Sequence, residues 1–97
     1  MKNFQEFSII VTGGASGIGA AICKKMYNEG AHIGVIDINQ DAGQEFCDSL
    51  GKRALFCYGN VNEESSVEQA FSKLEENMPP IKGCVTSAGV MPTRDPI

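Results

Sequence analysis

The chain is 97 residues long, 42% hydrophobic and 21% charged, with a formal net charge of −4. That length holds one folded unit, and the composition is that of an ordinary globular protein, not a disordered one. The Lys and Arg residues are scattered, with only Lys24-Lys25 and Lys52-Arg53 adjacent, so no basic stripe is offered to nucleic acid.

The predicted elements alternate between strand-like and helix-like. Phe7 to Val11 is a β-branched apolar run, the pattern of a parallel strand covered on both faces. From Gly17 to Asn28, Ile18, Ile22 and Met26 recur every four residues beside Ala21, and Gly30 follows as a stop. This predicts a helix that buries those residues and points Lys24 and Lys25 outward. His32 to Ile36 is a second strand ending at Asp37. Ala42, Phe46 and Leu50 mark a second helix closed by Gly51, with Gly43 as a weak point inside it. Ala54 to Tyr58 is a third strand. Asn62 is the expected N-cap of a third helix, with Glu63 and Glu64 at its positive end and Val67, Ala70, Phe71 and Leu74 as its apolar stripe. Met78-Pro79-Pro80 ends that helix, and Cys84-Val85-Thr86 begins a fourth strand. Repeated β-α units of this kind argue for an α/β fold with a parallel sheet and right-handed crossovers.

Where the first strand turns into the first helix stands Thr12-Gly13-Gly14-Ala15-Ser16-Gly17-Ile18-Gly19. A pyrophosphate bound there needs backbone N–H groups at a helix N-terminus, and glycines let the backbone approach it closely. A mononucleotide P-loop would need a Lys after the glycines, and none follows. Asp37, at the end of the second strand, can accept hydrogen bonds from ribose hydroxyls and would repel a 2′-phosphate. With no Lys or Arg at positions 14 to 16 or directly after Asp37, NAD is expected over NADP.

The spacing Thr-Gly-x-x-x-Gly-x-Gly resembles the signature of the short-chain dehydrogenase/reductase family, and the resemblance extends over essentially the whole chain. It implies a Rossmann-like three-layer α/β fold, partial, with strand order 3-2-1-4 and three helices. Residues 1–97 would then be the N-terminal portion of an NAD(P)-binding Rossmann domain in a longer fold. The implied cofactor-binding residues are Gly13, Ser16, Gly17, Ile18, Gly19, Asp37, Asn60, Val61, Ala88 and Gly89. Where the family usually has Asp-Val meeting the adenine, this sequence has Asn60-Val61, which keeps an acceptor oxygen and loses the charge. Where the family has Asn-Asn-Ala-Gly, this sequence has Thr86-Ser87-Ala88-Gly89. The implied activity is hydride transfer between NAD and an alcohol or carbonyl substrate. The family performs it with a downstream Ser and a Tyr-x-x-x-Lys. The tyrosines here are Tyr27 and Tyr58, and four residues on stand Ala31 and Asn62, so no catalytic residue is assigned. The alternative is a truncated, non-catalytic nucleotide-binding module or a non-functional fragment.

Other chemistry is set aside. Ser49-Leu50-Gly51-Lys52 matches Ser-x-x-Lys by letter without a supporting motif. His32 is expected to be structural or exposed, and Arg94 solvated. Cys23, Cys47, Cys57 and Cys84 have no Cys-x-x-Cys spacing and share the chain with one His, which suits neither metal nor a disulfide framework. They are expected to be reduced and mostly buried, in a cytoplasmic protein. The N-terminus lacks signal-peptide blocks, and the apolar runs are too short for a bilayer, so no membrane partner is expected. A homo-oligomer is compatible with a full-length parent. The isolated 97 residues, with an open sheet edge, are expected to be marginally stable or self-associating.

Overall fold

The computed structural model describes residues 8–13, 17–60 and 62–86. In chain order the elements are β1 (Ser8–Thr12), α1 (Gly17–Asn28), β2 (His32–Asp37), α2 (Gln40–Leu50), β3 (Ala54–Tyr58), α3 (Glu64–Asn77) and β4 (Ile81–Thr86). The four strands form one sheet in the order β3-β2-β1-β4, and every neighbouring pair is parallel. This is the expected Rossmann-like order with three helices. The chain steps outward from β1 to β3, then returns to the far side of β1. That reversal of direction puts α3 on the face opposite α1 and α2 and opens a crevice beyond the carboxyl ends of β1 and β4.

The faces have separate cores. Val11, Ile33, Val35 and Ala54 pack with Cys23 of α1, Cys47 of α2 and Ala31, flanked by Ile22, Met26, Phe46, Leu50 and Phe56. On the other face Ile10 and Ile36 meet Ala70 and Leu74 of α3, with Phe71, Met78 and Ile81 beside them. Ile33, Val35 and Ile36 are all fully buried, which explains why β2 is continuously apolar and does not alternate. Truncating any of these side chains to Ala would cost about 2–5 kcal/mol.

Gly43, a weak point for helix propensity, is required by packing. The ring of Phe56 on β3 occupies the space a Cβ at Gly43 would need, so the glycine lets α2 lie directly on the sheet.

Several local expectations are corrected. Ile18 is 74% exposed, and the buried residues of α1 are Gly19 and Cys23, with Ile22 and Met26 half-buried. A repeat of four drifts about 40° per step against the 3.6-residue turn. Ile18, at one end of the drift, therefore lies about 100° from the middle of the buried face. The N-cap of α3 is Glu63, not Asn62, and no side chain caps it. The N–H of Asn62 instead donates to Asn60 Oδ1 at 2.9 Å. β4 begins at Ile81, ahead of Cys84, because a ladder irregularity lets Ile81 pair with Ser8 and Gly83 with Ile9. The extra residue, Lys82, breaks the two-residue alternation that marks a strand. β1 extends to Thr12, and Phe7 lies outside the described residues.

All four cysteines are free, but only Cys23 and Cys47 are buried; Cys57 is intermediate and Cys84 exposed. Burial pushes the thiols of Cys23 and Cys47 up to about 12. Cys84 lies on the β4 edge, on the face it shares with Ile10. No helix among the described residues is long and apolar enough to cross a membrane.

Candidate functional site

The carboxyl ends of β1, β2 and β3 are tied together by backbone hydrogen bonds. Gly13, just past β1, donates to the carbonyl of Ile36 at 2.7 Å, and Gly59, just past β3, donates to the carbonyl of Asp37 at 3.1 Å. The expected site residues Gly13, Asp37 and Asn60 thus come from three segments far apart in sequence and sit at adjacent strand ends. Gly17 opens α1 with φ +58°, a conformation that disfavours a side chain. A Cβ built there would meet no described atom within 4 Å. Among the described residues the position combines a left-handed backbone with open space at a helix N-terminus, where N–H groups and the helix dipole favour an anion. No acidic residue lies in the first turn of α1 to oppose one.

Ile18 is exposed beside Gly17 and faces outward, while Gly19 is buried. Asp37 is half-buried. Its Oδ1 accepts from the N–H of Asn39 at 3.1 Å, and Asn39 Oδ1 in turn accepts from the N–H of Ala42 at 3.0 Å, capping α2. The helix cap thereby fixes the turn that holds the Asp37 carboxylate. Asn60 is half-buried in the loop between β3 and α3. Ser16, Val61, Ala88 and Gly89 lie outside the described residues.

Nothing in the residue pattern alone singles out Ile38. It is 55% exposed between Asp37 and the α2 cap. The large exposed hydrophobics Ile18, Ile38 and Tyr58 all stand at the carboxyl end of the sheet, with Leu55 the exception. An apolar residue directly after a strand-terminal carboxylate is the signal that could have marked Ile38. A cavity of about 580 Å³ lies elsewhere, along the β3 edge between α2 and α3, with Gln40, Gln44, Gln69 and Lys73 in its wall.

A parallel sheet with glycines at its first βα turn and a carboxylate ending its second strand defines a dinucleotide-binding class of α/β protein. Within that class the sequence matches the short-chain dehydrogenase family model over residues 8–96, and the chain belongs to that family. It is 33% identical over 82 residues to 3-beta-hydroxysteroid dehydrogenase of Comamonas testosteroni, covering 84% of this chain and 32% of that protein. It is 31% identical over 90 residues to 3-hydroxyacyl-CoA dehydrogenase type-2 of Rattus norvegicus, covering 93% of this chain and 34% of that protein. Among solved structures, 3-hydroxyacyl-CoA dehydrogenase type-2 from Mycobacterium avium superposes with a TM-score of 0.81 at 30% identity, over 93% of this chain and 34% of that one. A ketoacyl-(acyl-carrier-protein) reductase from Brucella melitensis, complexed with NADH, shares the fold with a TM-score of 0.73 at 20% identity, over 77% of this chain and 31% of that one. The chain therefore spans about a third of the length of the relatives it matches. The family's cofactor is NAD(P), and the open approach at Gly17 fits such a group.

Proposed function

We propose that residues 1–97 form the pyrophosphate- and adenosine-binding portion of an NAD-dependent oxidoreductase acting on an alcohol or carbonyl substrate. One juxtaposition carries the reading: the open, left-handed Gly17 at the start of α1 and the Asp37 carboxylate at the end of the neighbouring β2. Gly13, Ser16, Gly17, Ile18 and Gly19 would form the phosphate turn, and Asp37 would hold the adenosine ribose. Asn60 and Val61 would face the base, with Ala88 and Gly89 beside the nicotinamide ribose. When bound, the nicotinamide supplies the hydride acceptor or donor. NAD is favoured over NADP because Asp37 would face a 2′-phosphate while Ile38 and Asn39 offer no cation. The four free thiols favour a reducing, cytoplasmic setting, and a homo-oligomer is compatible with the family.

Titration calorimetry with NAD and NADP tests the reading. NAD is expected to bind at least tenfold tighter; equal affinities, or tighter NADP, would remove Asp37 from the role assigned to it.

The second reading is a nucleotide-binding module without hydride transfer, and the two tyrosines of residues 1–97 do not bear on the choice. Tyr27 is stacked under Arg53 at the opposite end of the sheet, and neither Tyr27 nor Tyr58 has a lysine four residues on. A coding sequence that continues past Ile97 into a Ser and a Tyr-x-x-x-Lys would decide for the oxidoreductase.

A further inference from the structure

We propose that Asn60 relaxes the purine selectivity of the site by presenting an N–H donor to the 6-position of the base, so that a 6-oxopurine dinucleotide competes with the adenine form. This rests on the proposed reading that Asn60 faces the base.

Three hydrogen-bonding groups of Asn60 are already committed to its loop. Its side-chain Oδ1 accepts from the N–H of Asn62 at 2.9 Å. Its backbone N–H donates to Ser66 Oγ at 2.9 Å, and its carbonyl accepts from the N–H of Glu63 at 2.9 Å. The turn also identifies the amide atoms, because only an oxygen can accept from the Asn62 N–H. The other terminal atom is therefore Nδ2, which has no hydrogen-bond partner among the described residues.

An aspartate in the same turn would keep one oxygen on Asn62 and offer its second oxygen as an acceptor, matching the 6-amino group of adenine. Asparagine puts a donor in that place. Two donors then face each other, and in a half-buried position water relieves this only in part. A 6-oxo group, as in hypoxanthine, accepts from Nδ2 and removes the conflict.

The experiment compares NAD with nicotinamide hypoxanthine dinucleotide by calorimetry, on the full chain and on Asn60→Asp. Aspartate can accept the same Asn62 N–H, so the loop is retained, and its added charge acts on both ligands and cancels in their ratio. The ratio of Kd for the hypoxanthine form to Kd for NAD is expected near or below one in the native chain. It is expected to rise about tenfold in Asn60→Asp, the size of one exchanged hydrogen bond. The native ratio needs no variant, so the proposal stays testable if the substitution impairs folding. A native chain that prefers NAD more than tenfold, or a ratio unchanged by Asn60→Asp, overturns the role of Asn60 while leaving the nucleotide site standing. Binding of neither dinucleotide overturns the site itself, and the proposal with it.

Discussion

The two ends of the sheet are built on opposite principles. At the amino end, side chains reach across the fold and fasten it. Arg53, just before β3, donates through Nη1 to the carbonyls of Tyr27 at 3.1 Å and Ala31 at 2.6 Å. Its guanidinium also lies 3.9 Å over the Tyr27 ring, placing a cation at the C-terminus of α1, where the helix dipole favours it. Ser8 fastens β1 to the segment entering β4, with Oγ donating to the Pro79 carbonyl at 2.9 Å and its N–H to that of Pro80 at 2.8 Å. At the carboxyl end Asp37 bonds Asn39, Asn39 bonds Ala42 and Asn60 bonds Asn62, each within its own turn, and the large apolar side chains of Ile18, Ile38 and Tyr58 face outward. The side-chain bonds named at the amino end span 22 to 71 residues of sequence, and those named at the carboxyl end span two or three.

The most direct way to break this division is Arg53→Ala. It removes the stacked cation and strips a donor from two backbone carbonyls, for an expected loss of about 2–4 kcal/mol, read from the urea midpoint. NAD affinity of the folded protein is expected to change less than twofold. A parallel fall in affinity would mean that the two ends are coupled.

Gly17→Ala tests the other end and should show the reverse balance. The left-handed φ costs about 1 kcal/mol once a Cβ is present, lowering Tm by about 4–8 °C in a chain this size. On the proposed reading the new methyl group enters the space the pyrophosphate would take, so NAD affinity is expected to drop at least tenfold. A drop in Tm without a change in Kd would relocate the phosphate site.

The contrast also accounts for what the sequence could disclose. The strands and helices were legible because they depend on short-range periodicity and on residue types with fixed backbone demands. The strand order was legible from the family spacing of those same landmarks. The Arg53 clasp was not, because its acceptors are backbone carbonyls 22 and 26 residues away, and any residue type supplies a carbonyl. Asn62 looked like a cap by type, yet Asn60 accepts its N–H and helix α3 begins past it. Ile18 looked buried because a spacing of four resembles a helical turn, although over two steps of four it drifts off one. In the candidate site Gly17 and Asp37 are proposed from residue type and position, and the fold puts them at the start of α1 and the end of the neighbouring β2. Residue type passed over Ile38, whose exposure is a property of the finished fold.

The smallest expected effect is a titration that senses the clasp. His32, at the start of β2, is held below its ordinary pKa first by burial and second by the charge of Arg53. The unfolded chain therefore takes up the proton first, near pH 6.5. The stability that neutral His32 contributes is present above that pH and is lost as pH falls toward the lower folded value. His32→Gln should flatten the decline in Tm on the acid side of pH 6.5. In Arg53→Ala, the His32 pKa followed by NMR should move up while staying below 6.5, because burial, the larger cause, remains. A native His32 titrating at or above 6.5 would remove Arg53 from its neighbourhood, and the description of the amino end as a charged clasp would fail with it.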